Sequence, residues 1–378
     1  MKIAIASTGR FHVLDLAREL HHLGHEVTFY SYVPRERAAR FGLPSECHVS
    51  LLGAALPYLA SHRLGLGWLP GIDSLPLHKA LNRAVIKKLA PCDVFICMSG
   101  VYLEAAEYAR DRYGARIFLE RGSMHVDTQH EILKAIGGRQ ITQSTLERER
   151  AGYDLADRIA IPACHVAESF LTYQSLAGKT FVNPYGVDLE MFPQRVGPPP
   201  NLRRVLFVGN WSYQKGCDQL TEAISRLRDV ELVHVGAILD APLPEAHWFT
   251  HHEPVDQSTL TEFYQSATVF ALASRQEGLA LVQAQALASG LPLICTRSTG
   301  GRDLAHSHCL KERIEEVPVG DATALSHAIA KMLDRIARCD IGPISEADRQ
   351  LLSWRAYGER YAAELEQDVV ARPSFHSV

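Results

Sequence analysis

The chain has 378 residues, 47% of them hydrophobic, and a formal net charge of −4. That length exceeds one ordinary core and implies two domains, with the cleft between them as the default ligand site. The slight acidity gives none of the basic excess that binding a phosphate backbone favours, so nucleic acid is not an expected partner.

From the N-terminus, Lys2 to Ser7 reads as a strand, Val13, Leu16, Leu20 and Leu23 recur at helical spacing, and Val27 to Tyr30 reads as the next strand. That is a βαβ unit. Further strands are expected at Val94 to Met98, Arg116 to Glu120, Arg158 to Pro162 and Lys179 to Val182, with helices such as Leu77 to Leu89 and Leu103 to Arg112 between them. Strand and helix alternating in this way imply a parallel sheet covered on both faces. The pattern stops at Gly197-Pro198-Pro199-Pro200, where consecutive prolines suit neither a helix nor a central strand, and the domain linker is placed there.

Beyond it the alternation restarts: strands at Val205 to Gly209, Glu231 to Gly236, Val269 to Ala273 and Leu291 to Cys295, helices at Cys217 to Leu227, through Gln285, and at Ala322 to Ile336. Leu351 to Val369 follows all the strand signals and reads as a closing helix. The expected fold class is α/β: two Rossmann-like domains, 1–195 and 202–354, with a helix near 355–372 packing back on the first.

The eight cysteines form no C-x-x-C pair and read as buried reduced thiols of a cytoplasmic protein. Met1 to Ser7 is too short for a signal sequence. The apolar stretch Leu51 to Pro70 is broken by His62, Arg63 and by prolines and glycines, so no bilayer-spanning helix is expected. Two readings stay open for Leu51 to Trp68: core of the first domain, or an apolar loop that touches a membrane surface.

In open parallel sheets ligands lie beyond the carboxyl ends of the strands, which singles out three turns. In Ser7-Thr8-Gly9-Arg10-Phe11-His12, Gly9 permits a tight turn with amides free for a phosphate or sugar hydroxyl; a plain βα turn is the alternative. In Gly209-Asn210-Trp211-Ser212-Tyr213-Gln214-Lys215-Gly216, Lys215 stands at the mouth of a helix, either as a pyrophosphate-binding cation or as a solvated lysine. In Glu277-Gly278-Leu279-Ala280-Leu281, a carboxylate precedes a helix start whose amides suit an anion, and Gln285 is a polar residue on an alanine- and leucine-rich helix. The bland alternative is that Glu277 complements the helix dipole and Gln285 is solvated.

Together these turns resemble those of the family 4 retaining glycosyltransferases, which have the GT-B fold. The resemblance extends to Gly24-His25-Glu26-Val27, to Asn183-Pro184-Tyr185-Gly186-Val187-Asp188 through Phe192, and to Ser353-Trp354. It implies that Glu277 holds the donor sugar and that position 285, usually a second glutamate on the ribose diol, does so here as Gln285. An amide there loses a charge-assisted hydrogen bond, a difference of roughly 1 kcal/mol. The family's arginine after the glycine is Asn210 in this chain, and its lysine is Lys215. In Glu120-Arg121-Gly122-Ser123-Met124-His125 the resemblance assigns His125 to the sugar side, a structural histidine being the alternative. Arg121 is expected either to neutralise phosphate or to pair with Glu120.

The resemblance therefore implies transfer of a sugar from a nucleotide diphosphate to the hydroxyl of a glycan, a lipid-linked glycan or a small molecule, in bacterial polysaccharide or glycoconjugate biosynthesis. Glu277, His125 and Lys215 are its catalytic residues. Gly9, Gly209, Asn210, Val255, Gly278 to Leu281 and Gln285 join them at the donor, and Arg10, His12, Arg121 and Ser123 face the sugar or acceptor. The chain has no Asp-x-Asp triplet, so no metal and no other cofactor are expected. The same fold would also serve a nucleotide-sugar epimerase or, given Asn210 and Gln285, a sensor that binds without turnover.

Overall fold

In the computed structural model, residues 1–63, 75–138, 140–197 and 203–370 are described. The central prolines of the expected linker, the end of the apolar stretch with Leu64, Leu66 and Trp68, and residues 371–372 of the expected closing helix lie outside them.

Two wholly parallel sheets follow one another along the chain. The first contains β1 (Lys2–Ala6), β2 (Glu26–Ser31), β3 (His48–Ser50), β4 (Val94–Met98), β5 (Arg116–Glu120), β6 (Arg158–Ile161) and β7 (Thr180–Val182), in the order β3-β2-β1-β4-β5-β6-β7. The second contains β8 (Arg204–Val208), β9 (Glu231–Val235), β10 (Phe249–His252), β11 (Val269–Leu272), β12 (Leu293–Thr296) and β13 (Ile314–Val317), in the order β10-β9-β8-β11-β12-β13. Central strands such as Val94-Phe95-Ile96-Cys97 and Val269-Phe270-Ala271-Leu272 are buried along their length, which is why they carry apolar runs rather than alternation. The strand order reverses between β1 and β4 in the first sheet and between β8 and β11 in the second. A crevice opens outside the carboxyl ends of the strands at such switch points. The turns after β1, β8 and β11 are the three singled out from the sequence.

Three strands give no apolar signal in the sequence: His48–Ser50, Phe249–His252 and Ile314–Val317. All are short edge strands of polar composition, paired on one side and half-solvated. Residues 52–63 are helical, with Pro57 inside the helix. Leu51 and Ala55 are buried while Leu56 is 54% exposed, so this stretch supplies core on one side and an apolar surface on the other. Among the described residues, no helix is long and apolar enough to cross a membrane. Five cysteines are buried, but Cys164 and Cys339 are exposed, which corrects the expectation of eight buried thiols.

The chain crosses between the sheets twice, after β7 and again at Ser353-Trp354, and the crossings lie side by side. Val187 N donates to Leu352 O at 2.8 Å, and a Cβ on Gly186 would stand 2.6 Å from Trp354 Cα. Helix Trp354–Val370 then packs on helix Phe11–His22 of the first domain. Arg116 clamps Asp368 with two bonds of 2.6 Å, and Arg158 pairs with Glu364.

Candidate functional site

The turn after β8 is shaped by two glycines in conformations that side-chain-bearing residues avoid: Gly209 (φ 140°) and Gly216 (φ 68°). A Cβ on Gly216 would collide with the carbonyl of Ala273 at the end of β11, so this turn rests directly on its neighbour. Arg275 N donates to Gln214 O at 2.8 Å, Gln214 Nε2 to Gln276 Oε1 at 2.9 Å, and Arg275 grips Asp218 with two bonds of 2.7 Å. The result of this lacing is that Lys215 Nζ forms an ion pair with Glu277 Oε2. Each side chain keeps 21% exposure. Burial pulls the Lys215 ammonium below its ordinary value, and the adjacent carboxylate is the counter-charge that favours its protonated form.

Immediately after Glu277, helix Leu281–Ala288 begins at Ala280 with no side-chain cap and no acidic residue in its first turn. Its N-terminal dipole is therefore uncompensated by the helix's own side chains. Gln285 is 94% buried, and its Oε1 accepts from Tyr264 Oη at 3.0 Å. The resemblance assigned Gln285 to a ribose; one of its polar atoms is already held by a buried tyrosine that the sequence did not single out. Asn210 and Val255 are exposed at the ends of β8 and β10.

The first domain meets this rim at three loops. Gln276 Nε2 donates to Ser123 Oγ at 2.6 Å, His165 Nε2 donates to Glu277 O at 2.9 Å, and a Cβ on Gly278 would run into the backbone of Gly122. Beside this seam, Arg10, His12 and Asp15 from the first domain and Gln257, Leu281 and Gln285 from the second line a pocket of about 140 Å³. Arg10 Nη1 spans it to Gln257 Oε1 at 3.2 Å and its guanidinium lies 3.5 Å over the Phe41 ring. His12 Nε2 lies 2.7 Å from Glu120 Oε2, both side chains being almost fully buried, and the imidazole packs 4.3 Å from the Tyr185 ring.

Three expectations need correction. His125 does not line the pocket: its ring stacks on Tyr173 at 3.7 Å, with Tyr153 and Phe170 at its edges, and its Nδ1 caps helix Val126–Ala135 by accepting from Asp127 N. That aromatic packing desolvates the imidazole and pushes it down to about 4, so it is a neutral structural histidine. Arg121 pairs with Glu149 rather than Glu120, and donates to Met124 O and Gln129. Burial of its whole guanidinium in these bonds removes it from phosphate binding. The Gly9 amide is not free, since it donates to Ser7 Oγ at 3.3 Å, and the strained residue of that turn is Phe11 (φ 31°). Of the residues named from sequence, the structure thus brings Lys215 and Glu277 together, and Arg10, His12, Leu281 and Gln285 around the pocket. Glu120, Tyr264, Gln276 and Gln257 were missed; only Glu120, the last residue of a strand at the ligand-facing edge, carried a readable signal.

Comparison with known proteins follows the same division. Residues 203–335 match the family described as glycosyl transferases group 1. The D-inositol 3-phosphate glycosyltransferase of Geodermatophilus obscurus is 27% identical over 69% of this chain and 66% of its own. The alignments span 36% and 66% of the first curated relatives, less than two thirds of either. Among solved structures, sucrose-phosphate synthase from Thermosynechococcus elongatus superposes with a TM-score of 0.73 at 19% identity, covering 98% of this chain and 100% of that one. Anabaena HepE in complex with UDP-glucose gives 0.65 at 14% identity, covering 97% and 100%. At such identities the likeness is one of fold.

Proposed function

We propose that the chain, whose residues 203–335 match the glycosyl transferases group 1 family and which has the GT-B fold, moves a sugar from a nucleotide diphosphate to an acceptor hydroxyl. The proposal includes retention of anomeric configuration, no metal requirement, and a role in bacterial polysaccharide or glycoconjugate biosynthesis.

The observation that carries the reading is the Lys215 and Glu277 pair at the uncapped start of helix Leu281–Ala288. Breaking the anomeric bond builds positive charge on the sugar ring and negative charge on the departing diphosphate, and the protein has to stabilise that separation. Lys215 and the amides of residues 278–281 hold the diphosphate. When Lys215 turns to phosphate, Glu277 is released to accept hydrogen bonds from the sugar. Gln285 is the residue offered to the ribose, and Arg10, which lines the same pocket from the first domain, is offered to the sugar or acceptor. The similarity to a fold that binds UDP-glucose in HepE supports a nucleotide-sugar donor, and the inositol phosphate enzymes among the relatives make D-inositol 3-phosphate the first acceptor to try.

The test is a thermal-shift screen against UDP, GDP, ADP and TDP sugars, then a transfer assay in EDTA with the anomeric configuration of the product read by NMR. Glu277→Ala is expected to keep its fold and lose turnover by about two orders of magnitude or more. Unchanged turnover in that variant, or activity that requires added magnesium or manganese, contradicts the corresponding part of the proposal.

A further inference from the structure

Under the turn that carries Lys215 runs a row of three side chains from neighbouring strand ends. His234 of β9 is wholly buried, with the rings of Phe207 and Trp211 against its own. Its Nε2 lies 2.9 Å from Gly209 O, and its Nδ1 lies 2.9 Å from Nδ1 of His251 on β10. A carbonyl only accepts, so the His234 proton is on Nε2 and its Nδ1 is a lone pair; His251 must then donate from its own Nδ1. That leaves His251 Nε2 as a second lone pair whenever the ring is neutral. This atom is buried and has no hydrogen-bond partner among the described residues, and Glu253 Oε1 stands 3.5 Å from it. A carboxylate cannot donate to a lone pair, whereas an N–H at the same place meets its counter-charge. The bonding pattern therefore makes His251 the member of the row that takes up a proton, while burial pushes His234 down to about 4 and keeps it neutral. The ionisable groups facing the pair are His252 and Glu253, both at the end of β10.

We propose that His234 is a positioning residue for the turn that holds the diphosphate, and that a proton on His251 tightens donor binding through Glu253; this rests on the reading of Gly209 to Lys215 given above. Gly209 is where β8 becomes the turn: its amide donates to Val235 O at 3.0 Å, and a Cβ on Gly236 would collide with its carbonyl. His234 Nε2 is the side-chain donor that fixes the same carbonyl. Glu253 has a side chain 80% exposed and precedes Val255, a residue the donor reading places at the nucleotide, by two positions. With His251 neutral, Glu253 is an uncompensated negative charge beside a site for anions. With His251 protonated, the carboxylate is drawn onto the imidazolium, its repulsion of the diphosphate falls, and the turn at 253–255 is held to the strand. The step is the binding of one proton from water at His251 Nε2.

The experiment titrates the full chain calorimetrically with UDP-glucose, or whichever sugar nucleotide the screen selects, between pH 5.5 and 7.5. The wild-type Kd is expected to fall about three- to fivefold from the upper to the lower pH, the size of one exposed charge interaction. Glu253→Gln offers neutral His251 Nε2 an amide donor and carries no charge, so its Kd should stay at the low-pH wild-type value throughout. Lys215, lowered by burial, titrates alike in both proteins and cancels in the comparison. His234→Gln keeps an amide donor for Gly209 O and should bind within about threefold of wild type, whereas His234→Leu should bind about tenfold more weakly. Glu253→Gln alters only an exposed side chain and decides the question even where His234→Leu fails to fold. Nitrogen-15 NMR of the histidine side chains without ligand should show His234 in the neutral Nε2–H form throughout and His251 gaining its second proton as the pH falls. The same pH dependence of Kd in wild type and Glu253→Gln, or His234 in the Nδ1–H form, overturns the proposal. Histidine signals as expected, with no sugar nucleotide bound at any pH, overturn the donor reading beneath it.

Discussion

Lys215 and Glu277 are 62 residues apart and come from neighbouring strand ends, so their contact depends on the packing of two turns rather than on either turn alone. Removing the cation leaves a partly buried carboxylate unpaired and the diphosphate without its point charge. Lys215→Met is therefore expected to raise the Kd for the preferred nucleotide diphosphate by about 10- to 100-fold, the size of one charge-assisted contact. Calorimetric titration measures it, and a Kd equal to that of the wild type contradicts the role. Lys215→Arg keeps charge but replaces a compact ammonium with a planar fork, and should recover only part of the affinity.

The helices Gln257–Ser266 and Leu281–Ala288 flank the interdomain pocket, and Tyr264 joins them: its hydroxyl donates to Gln285 Oε1 and lies 3.3 Å from Val282 O. Tyr264→Phe strips a buried acceptor of its donor and should cost about 1–2 kcal/mol in stability. It also frees the Gln285 amide, so KM for the donor should change while kcat does not; a denaturant midpoint and KM both at wild-type values would show that the two helices do not depend on this bond. Elements of this kind show what the sequence could reveal. The βαβ rhythm and the three ligand-facing turns were legible because parallel strands are uniformly apolar and end abruptly in glycine or a polar residue. Polar edge strands such as Phe-Thr-His-His at 249–252 were not, since their pairing rather than their composition makes them strands. His125 was misplaced for a related reason: its motif position fits the family pattern, but the stacking of Tyr173 on its ring comes from residues 48 positions away in the chain, and no local pattern reports that.

At the scale of the molecule, buried histidines contribute to the response to acid. His125 and His234 are both buried, and burial pushes both down to about 4. The unfolded chain takes up those protons near pH 6.5, the folded one near 4. Between these values the unfolded state binds more protons, so stability is complete above pH 6.5 and falls as the pH drops toward 4, by up to roughly 3 kcal/mol for each group. The melting temperature should accordingly decline from pH 7 to pH 5 while the sheet content of the folded baseline stays constant. A midpoint that does not vary over that range would show that neither imidazole is held neutral by the fold.

The return of helix Trp354–Val370 to the first domain has a consequence during synthesis. Helix Phe11–His22 leaves the ribosome early, yet the surface that covers it, including Gly358 against Glu19, is translated only after the entire second domain. The nascent first domain must wait through some 170 residues of translation, roughly ten to thirty seconds at ordinary rates, with an apolar helix face uncovered. The second domain needs no such delay, because all its strands lie between residues 204 and 317. The half of the molecule made first is thus the half completed last, and exposure to chaperones and proteases during translation is concentrated there.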